Sequence, residues 1–198
     1  MYNKSNTRNS IIFLIFVFLV YMGTSFYINY TSQQAPVASD LPDQEKDMIS
    51  LNRADDGMLS LTVPPTYVYG ATQKDLDSIA AEAGYESITL NADGSATYRI
   101  TEAQHAEMLA GVKEGIDQKL TEMAGSKNYS EIASIEHNDD YTDYTVKLSS
   151  LGGDESYSMA TVTLKLYTSM YNAFQGVGHP AFHVKYYNKE GQLVAETK

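Results

Sequence analysis

YESITLNADGSATYRITEAQHAEMLAGVKEGIDQKLTEMAG, residues 85–125, carries two periods in succession, and its reading decides the fold. Tyr85 to Leu90 and Ser95 to Ile100 flank the turn-forming quartet Asn91-Ala92-Asp93-Gly94, the pattern of a β-hairpin in which Ala96, Tyr98 and Ile100 face inward. The period then changes. Thr101 and Gln104 have capping-box spacing, and Leu109, Val112, Ile116, Leu120 and Met123 recur every three or four residues until Gly125, so a long amphipathic helix follows the hairpin. A hairpin running straight into a helix places the chain among α+β folds rather than all-α or parallel α/β ones.

Toward the N-terminus, Leu59, Leu61 and Val63 alternate with Ser60 and Thr62 as a half-buried strand that stops at Pro64-Pro65. Thr72 and Asp75 form a capping box for a short helix whose apolar stripe is Leu76, Ile79, Ala80 and Ala83, ended by Gly84. Toward the C-terminus a second hairpin is expected, with Ile132–Glu136 and Tyr141–Leu148 around His137-Asn138-Asp139-Asp140. A third helix follows, read from Met159, Val162, Leu166, Met170 and Phe174, with the β-branched run Thr161-Val162-Thr163 leaving a strand as the alternative. The last hairpin joins Phe182–Tyr186 to Leu193–Thr197. The expected architecture is one core: a mainly antiparallel sheet built from hairpins, with about three helices packed on one face.

Before this domain lies a segment of a different kind. Ile11 to Met22 is an unbroken apolar run, and to Ile28 the stretch measures 18 residues, enough helix for a bilayer core of about 30 Å. Lys4 and Arg8 precede it and no other charge appears before Asp40, so the positive-inside rule holds the N-terminus in the cytoplasm and sends the remainder across. The reading is a cytoplasmic stub over 1–10, a transmembrane signal-anchor over 11–28, a flexible tether over 29–57 and an extracytoplasmic domain over 58–198. Gly23-Thr24-Ser25 keeps cleavage, and hence secretion, open.

Net charge is −11 for 198 residues, and the two basic residues of the stub make the exported part more acidic still. Such a surface is repelled by phosphate backbones, which excludes nucleic acid as a partner. Without cysteine there are no disulfides, thiolate metal sites or lipoprotein acylation. The glycines form neither a phosphate loop nor a dinucleotide fingerprint, and no serine stands in a nucleophile-elbow context. No cofactor is expected.

Four constellations remain. Asp139, Asp140 and Asp143 supply oxygen ligands of the type calcium prefers, yet lack EF-hand spacing and are also ordinary turn residues. His179 and His183 are four apart but separated by Pro180 on a strand segment, a poor zinc geometry. His105 with Glu102 one helical turn away is the one acid/base pair in view, and Gly111 and Gly115 suit close helix packing. Sixteen tyrosines without a tryptophan are the most unusual feature of composition. Tyr141, Tyr144, Tyr167, Tyr171, Tyr186 and Tyr187 cluster late in the chain as a candidate binding surface, since tyrosine combines a rigid apolar body with a polar tip.

SLTVPPTYV, the 88–108 stretch ITLNADGSATYRITEAQHAEM, HNDDYTDYTV, SMYNAFQG and HVKYYN together resemble uncharacterised envelope proteins and lipoproteins of Gram-positive anaerobes, over roughly Leu59 to Glu196. The resemblance implies a location outside the cytoplasm and supplies no activity. Lipoprotein members carry an acylated cysteine where this chain has an apolar helix. The expected function is therefore a membrane-anchored, non-catalytic binding or accessory domain, whose partners would be another envelope protein, a peptide or cell-wall material. The alternative is an extracytoplasmic hydrolase or calcium-dependent enzyme using His105 and Glu102 or the acidic turn.

Overall fold

The computed structural model describes residues 49–68, 70–150 and 154–197. The expected stub and membrane span, and the tether as far as residue 48, lie outside them. Among the described residues, no helix is long and apolar enough to cross a membrane. Chain order is β1 (Ser50–Arg53), β2 (Leu59–Val63), α1 (Pro65–Val68), α2 (Gln73–Ala83), β3 (Ser87–Leu90), β4 (Ala96–Ile100), α3 (Glu102–Met123), β5 (Ile132–His137), β6 (Asp143–Leu148), α4 (Asp154–Phe174), β7 (His183–Tyr187) and β8 (Leu193–Thr197). The fold is α+β. The strands form two four-stranded sheets, β1-β2-β4-β3 and β5-β6-β7-β8, where a single sheet and core are expected from the sequence. The chain correspondingly divides into two compact units, with the division between Val112 and Lys113 inside α3.

In the first unit every strand pair is antiparallel, and Leu59, Leu61 and Val63 of β2 register with Ile100, Tyr98 and Ala96 of β4. All six are buried, so the period-2 pattern of both strands presents a single apolar face. The capping box of α2 forms as its spacing requires: Asp75 N–H donates to Thr72 Oγ1, and Thr72 N–H donates to Asp75 Oδ2 at 2.9 Å. Gly84 ends α2 at φ +72°, a left-handed conformation open to glycine without strain. Thr101 and Gln104 form the second box at the start of α3, and the Gln104 carboxamide donates onward to the Gly84 carbonyl at 2.6 Å.

β1 corrects the expected tether. Ser50–Arg53 pairs residue for residue with Thr62–Leu59 of β2, so the folded chain begins at least eight residues before Met58. The strand lies at a sheet edge with only Leu51 half-buried, and one apolar residue in four cannot display alternation.

The second unit repeats the strand-strand-helix-strand-strand succession with a different strand order. β5 and β6 form the expected hairpin, α4 crosses over, and β7 then pairs parallel with β6, Asp143 opposite His183 through Lys147 opposite Tyr187. A parallel pair needs such a crossover, and α4 supplies it. β8 returns antiparallel on β7.

α4 is a helix, as its spacing indicates, but it buries a different face. Ala160, Leu164, Tyr167, Thr168, Tyr171 and Phe174 are buried, whereas Met159, Val162 and Leu166 of the expected stripe are 41%, 40% and 36% exposed. Tyrosine rings carry more area into a core than Met or Val, and Ala160 and Thr168 allow close approach of the helix. The same burial corrects the tyrosine surface: Tyr141, Tyr144, Tyr167, Tyr171 and Tyr186 are all under a tenth exposed, and only Tyr187 is half-buried. These rings are core.

Candidate functional site

A connected polar constellation surrounds the β5–β6 turn, in the second unit. Its backbone is set by Asn138, whose Oδ1 accepts from the N–H groups of Thr142 and Asp143 at 2.9 and 3.1 Å. An asparagine side chain folded back on its own turn in this way substitutes for a backbone partner. Tyr141, inside the turn, adopts φ +54°, a left-handed conformation that a large side chain enters only when its surroundings hold it there.

Two helices hold it. From α3, Asp117 Oδ1 accepts the Tyr141 hydroxyl at 2.5 Å, and the same hydroxyl lies 3.2 Å from the Lys113 carbonyl oxygen. The Lys113 ammonium stands 5.0 Å from the centre of the Tyr141 ring and 3.6 Å from Asp139 Oδ1. From α4, Thr168 Oγ1 donates to the Tyr141 carbonyl, and Asn172 Nδ2 donates to the Asp140 carbonyl at 2.8 Å. Tyr171 meets the Tyr141 ring edge-on with centroids 4.8 Å apart.

His137 closes the cluster. Its ring stacks on Tyr141 at 4.3 Å and 19°, with Nε2 3.1 Å from Asp117 Oδ1 and Nδ1 2.8 Å from the Asn138 carbonyl oxygen. A carbonyl oxygen only accepts, so Nδ1 carries a hydrogen. Burial, then the hydrogen bond to Asp117 and its negative charge, push the Tyr141 phenol well above the ordinary tyrosine range. Burial does the same for Tyr144 and Tyr167. These phenols keep their protons, and those of Tyr141 and Tyr144 donate, to Asp117 and to the Leu164 carbonyl.

The acidic turn does not converge into a cage. Asp139 points into solvent beside Lys113, and Asp140 contributes its main-chain carbonyl to Asn172. Asp143 Oδ2 accepts from Thr142 and Asn138, while its Oδ1 is 3.4 Å from His183 Nδ1. Among the described residues, no three of His, Asp and Glu are placed to hold a metal ion. Glu102 is paired with the Arg53 guanidinium, His105 sits half-buried on α3, and His179 and His183 are both exposed.

Sequence reasoning missed Lys113, Asp117, Thr168 and Asn172. A signal existed for the last pair: two polar residues four apart, embedded among Leu164, Tyr167 and Tyr171, mark a helix face that meets main-chain polar groups. No protein-family model, no curated protein and no solved structure matches this chain.

Proposed function

We propose that the chain is a membrane-anchored, extracytoplasmic binding or accessory domain that presents an apolar helix face to another envelope protein. The observation that carries this reading is the row Met159, Val162 and Leu166 on α4, three large apolar side chains at i, i+3 and i+7, each more than a third exposed on a helix whose other face is already buried. Single exposed apolar residues are ordinary, but an aligned row on one helix is the form in which helical surfaces meet protein partners. The basic stub and apolar run at 4–28, and the resemblance of 59–196 to envelope proteins, support the address.

The address is tested by protease treatment of intact cells and by alkaline extraction of membranes: the domain is expected to be cleaved from outside and to stay in the extracted pellet. The binding face is tested with a photo-crosslinking residue at Val162 or Leu166, and at exposed Lys185 as control. An adduct of one discrete size from the α4 positions alone is expected. Equal labelling from Lys185, or no adduct at any position, overturns the assignment of this face.

A further inference from the structure

We propose that the β5–β6 turn is held by a proton-gated latch, in which His137 fastens the turn to Asp117 only while a proton lies between Nε2 and the carboxylate. Its basis is a count of hydrogens. Nδ1 must carry one to meet the Asn138 carbonyl oxygen at 2.8 Å, and a neutral imidazole has no second to offer. Nε2 nevertheless faces Asp117 Oδ1 at 3.1 Å, an oxygen that already accepts the Tyr141 hydroxyl. Wherever the bridging proton is formally placed, removing it leaves a nitrogen lone pair against a carboxylate oxygen. The ring then gives up one of its two polar contacts, keeping Nδ1 on the Asn138 carbonyl.

The consequence reaches Tyr141 through the stack. The His137 ring covers the Tyr141 ring at 4.3 Å, and Tyr141 occupies a left-handed conformation that its contacts must maintain. Displacing the ring removes one of those contacts and loosens 138–142. The charged and titratable groups around His137 are Lys113 and Asp117 from α3, Asp139, Asp140 and Tyr141 from the turn, Asp143 and Tyr144 from β6, and Tyr171 from α4. Glu136 of β5 is paired with Lys147 of β6, and His183 of β7 donates its main-chain N–H to the Thr142 carbonyl at 2.8 Å while its ring lies 3.4 Å from Asp143 Oδ1. Lys113 faces the cluster from α3, and it does not replace the bridging proton because its ammonium lies toward Asp139.

The test is hydrogen exchange at the amides of Tyr141, Thr142 and Asp143 in the full-length chain, corrected for the intrinsic pH dependence of exchange, compared between mildly acidic and mildly alkaline buffer. Wild-type protection is expected to fall roughly tenfold from the acid to the alkaline end, the scale of one charge-assisted hydrogen bond. His137→Gln is expected to give a flat profile, and His183→Gln to retain the wild-type slope. Asp117→Asn provides a second route: without the carboxylate there is no charge for the bridging proton to fasten, so the slope is expected to vanish. A flat wild-type profile, a wild-type slope in His137→Gln, or a slope abolished by His183→Gln alone would each overturn the latch.

Discussion

The Gln73 side chain stands against Leu90 as an additional strand residue would: its Oε1 accepts the Leu90 N–H at 2.8 Å, while its Nε2 donates to the Ile88 carbonyl at 2.7 Å. β3 is an edge strand of the first sheet, and these are main-chain groups that the edge would otherwise leave open. Gln73→Ala is expected to destabilise the fold by about 1 kcal/mol, because the freed groups return to water rather than being buried unpaired. A urea titration reads this as a lowered midpoint at constant slope. A variant indistinguishable from wild type would show that the contact closes the edge without stabilising it.

Tyr141 supports a sharper contrast. Tyr141→Phe removes only the hydroxyl and leaves Asp117 without its shortest donor, at an expected loss of about 2 kcal/mol. Tyr141→Gly relieves the left-handed backbone by about 1 kcal/mol but deletes a fully buried ring worth about 3–5 kcal/mol, so the net sign is destabilising and larger than for Phe. Thermal melts of the two variants in that order, Phe above Gly, are the check.

The two faces of α4 are separable by substitution. Leu164→Ala opens a cavity beneath a fully buried position and is expected to cost about 3 kcal/mol, whereas Val162→Ser on the exposed row should lie within about 0.5 kcal/mol of wild type. A large loss from Val162→Ser would mean that the row is covered within the protein, and the proposed partner face would have to be abandoned.

Acid stability has a predictable sign. Asp75 is held below its ordinary 3.8 by the Thr72 hydroxyl first and then the Thr72 N–H, and Asp93 below the same value by the hydroxyl and then the N–H of Ser95. A depressed carboxylate binds protons more weakly in the folded state than in the unfolded one, so its stabilisation is complete above 3.8 and is lost as pH falls through the folded value. Asp75→Asn with Asp93→Asn is therefore expected to melt below wild type at neutral pH, with the gap closing under pH 3.8. A gap that persists in strong acid would assign the effect to packing.

The elements that sequence alone revealed are those whose pattern is local. Thr72 with Asp75, Thr101 with Gln104, and the alternation of Ala96, Tyr98 and Ile100 each lie within one element, and each is realised. Strand order was not legible, because nothing in 143–187 distinguishes a crossover that returns β7 parallel to β6 from one that returns it antiparallel. The buried face of α4 escapes a hydropathy pattern for a chemical reason. Met159, Val162 and Leu166 weigh more on a hydropathy scale than Tyr167, Thr168 and Tyr171, yet the latter bury ring area and answer main-chain groups of the turn. The site itself depends on Asp117 meeting Tyr141 across 24 residues, a pairing without a periodic trace.

The parallel β6–β7 ladder sets an order of events for the second unit. β5 meets β6 across a short turn, but the β6–β7 ladder pairs Asp143 with His183, forty residues along the chain, and the intervening segment must be organised before the first of those bonds can form. Closing so long a loop costs chain entropy that no early contact returns, so pairings of this kind form late and slowly. During that interval β6 presents its second edge, bearing Tyr144 and Val146, without a neighbour. Newly made chains are therefore most vulnerable to strand exchange along β6, and substitutions that weaken α4 should appear first as aggregation during refolding, ahead of any change in the melting of the finished fold.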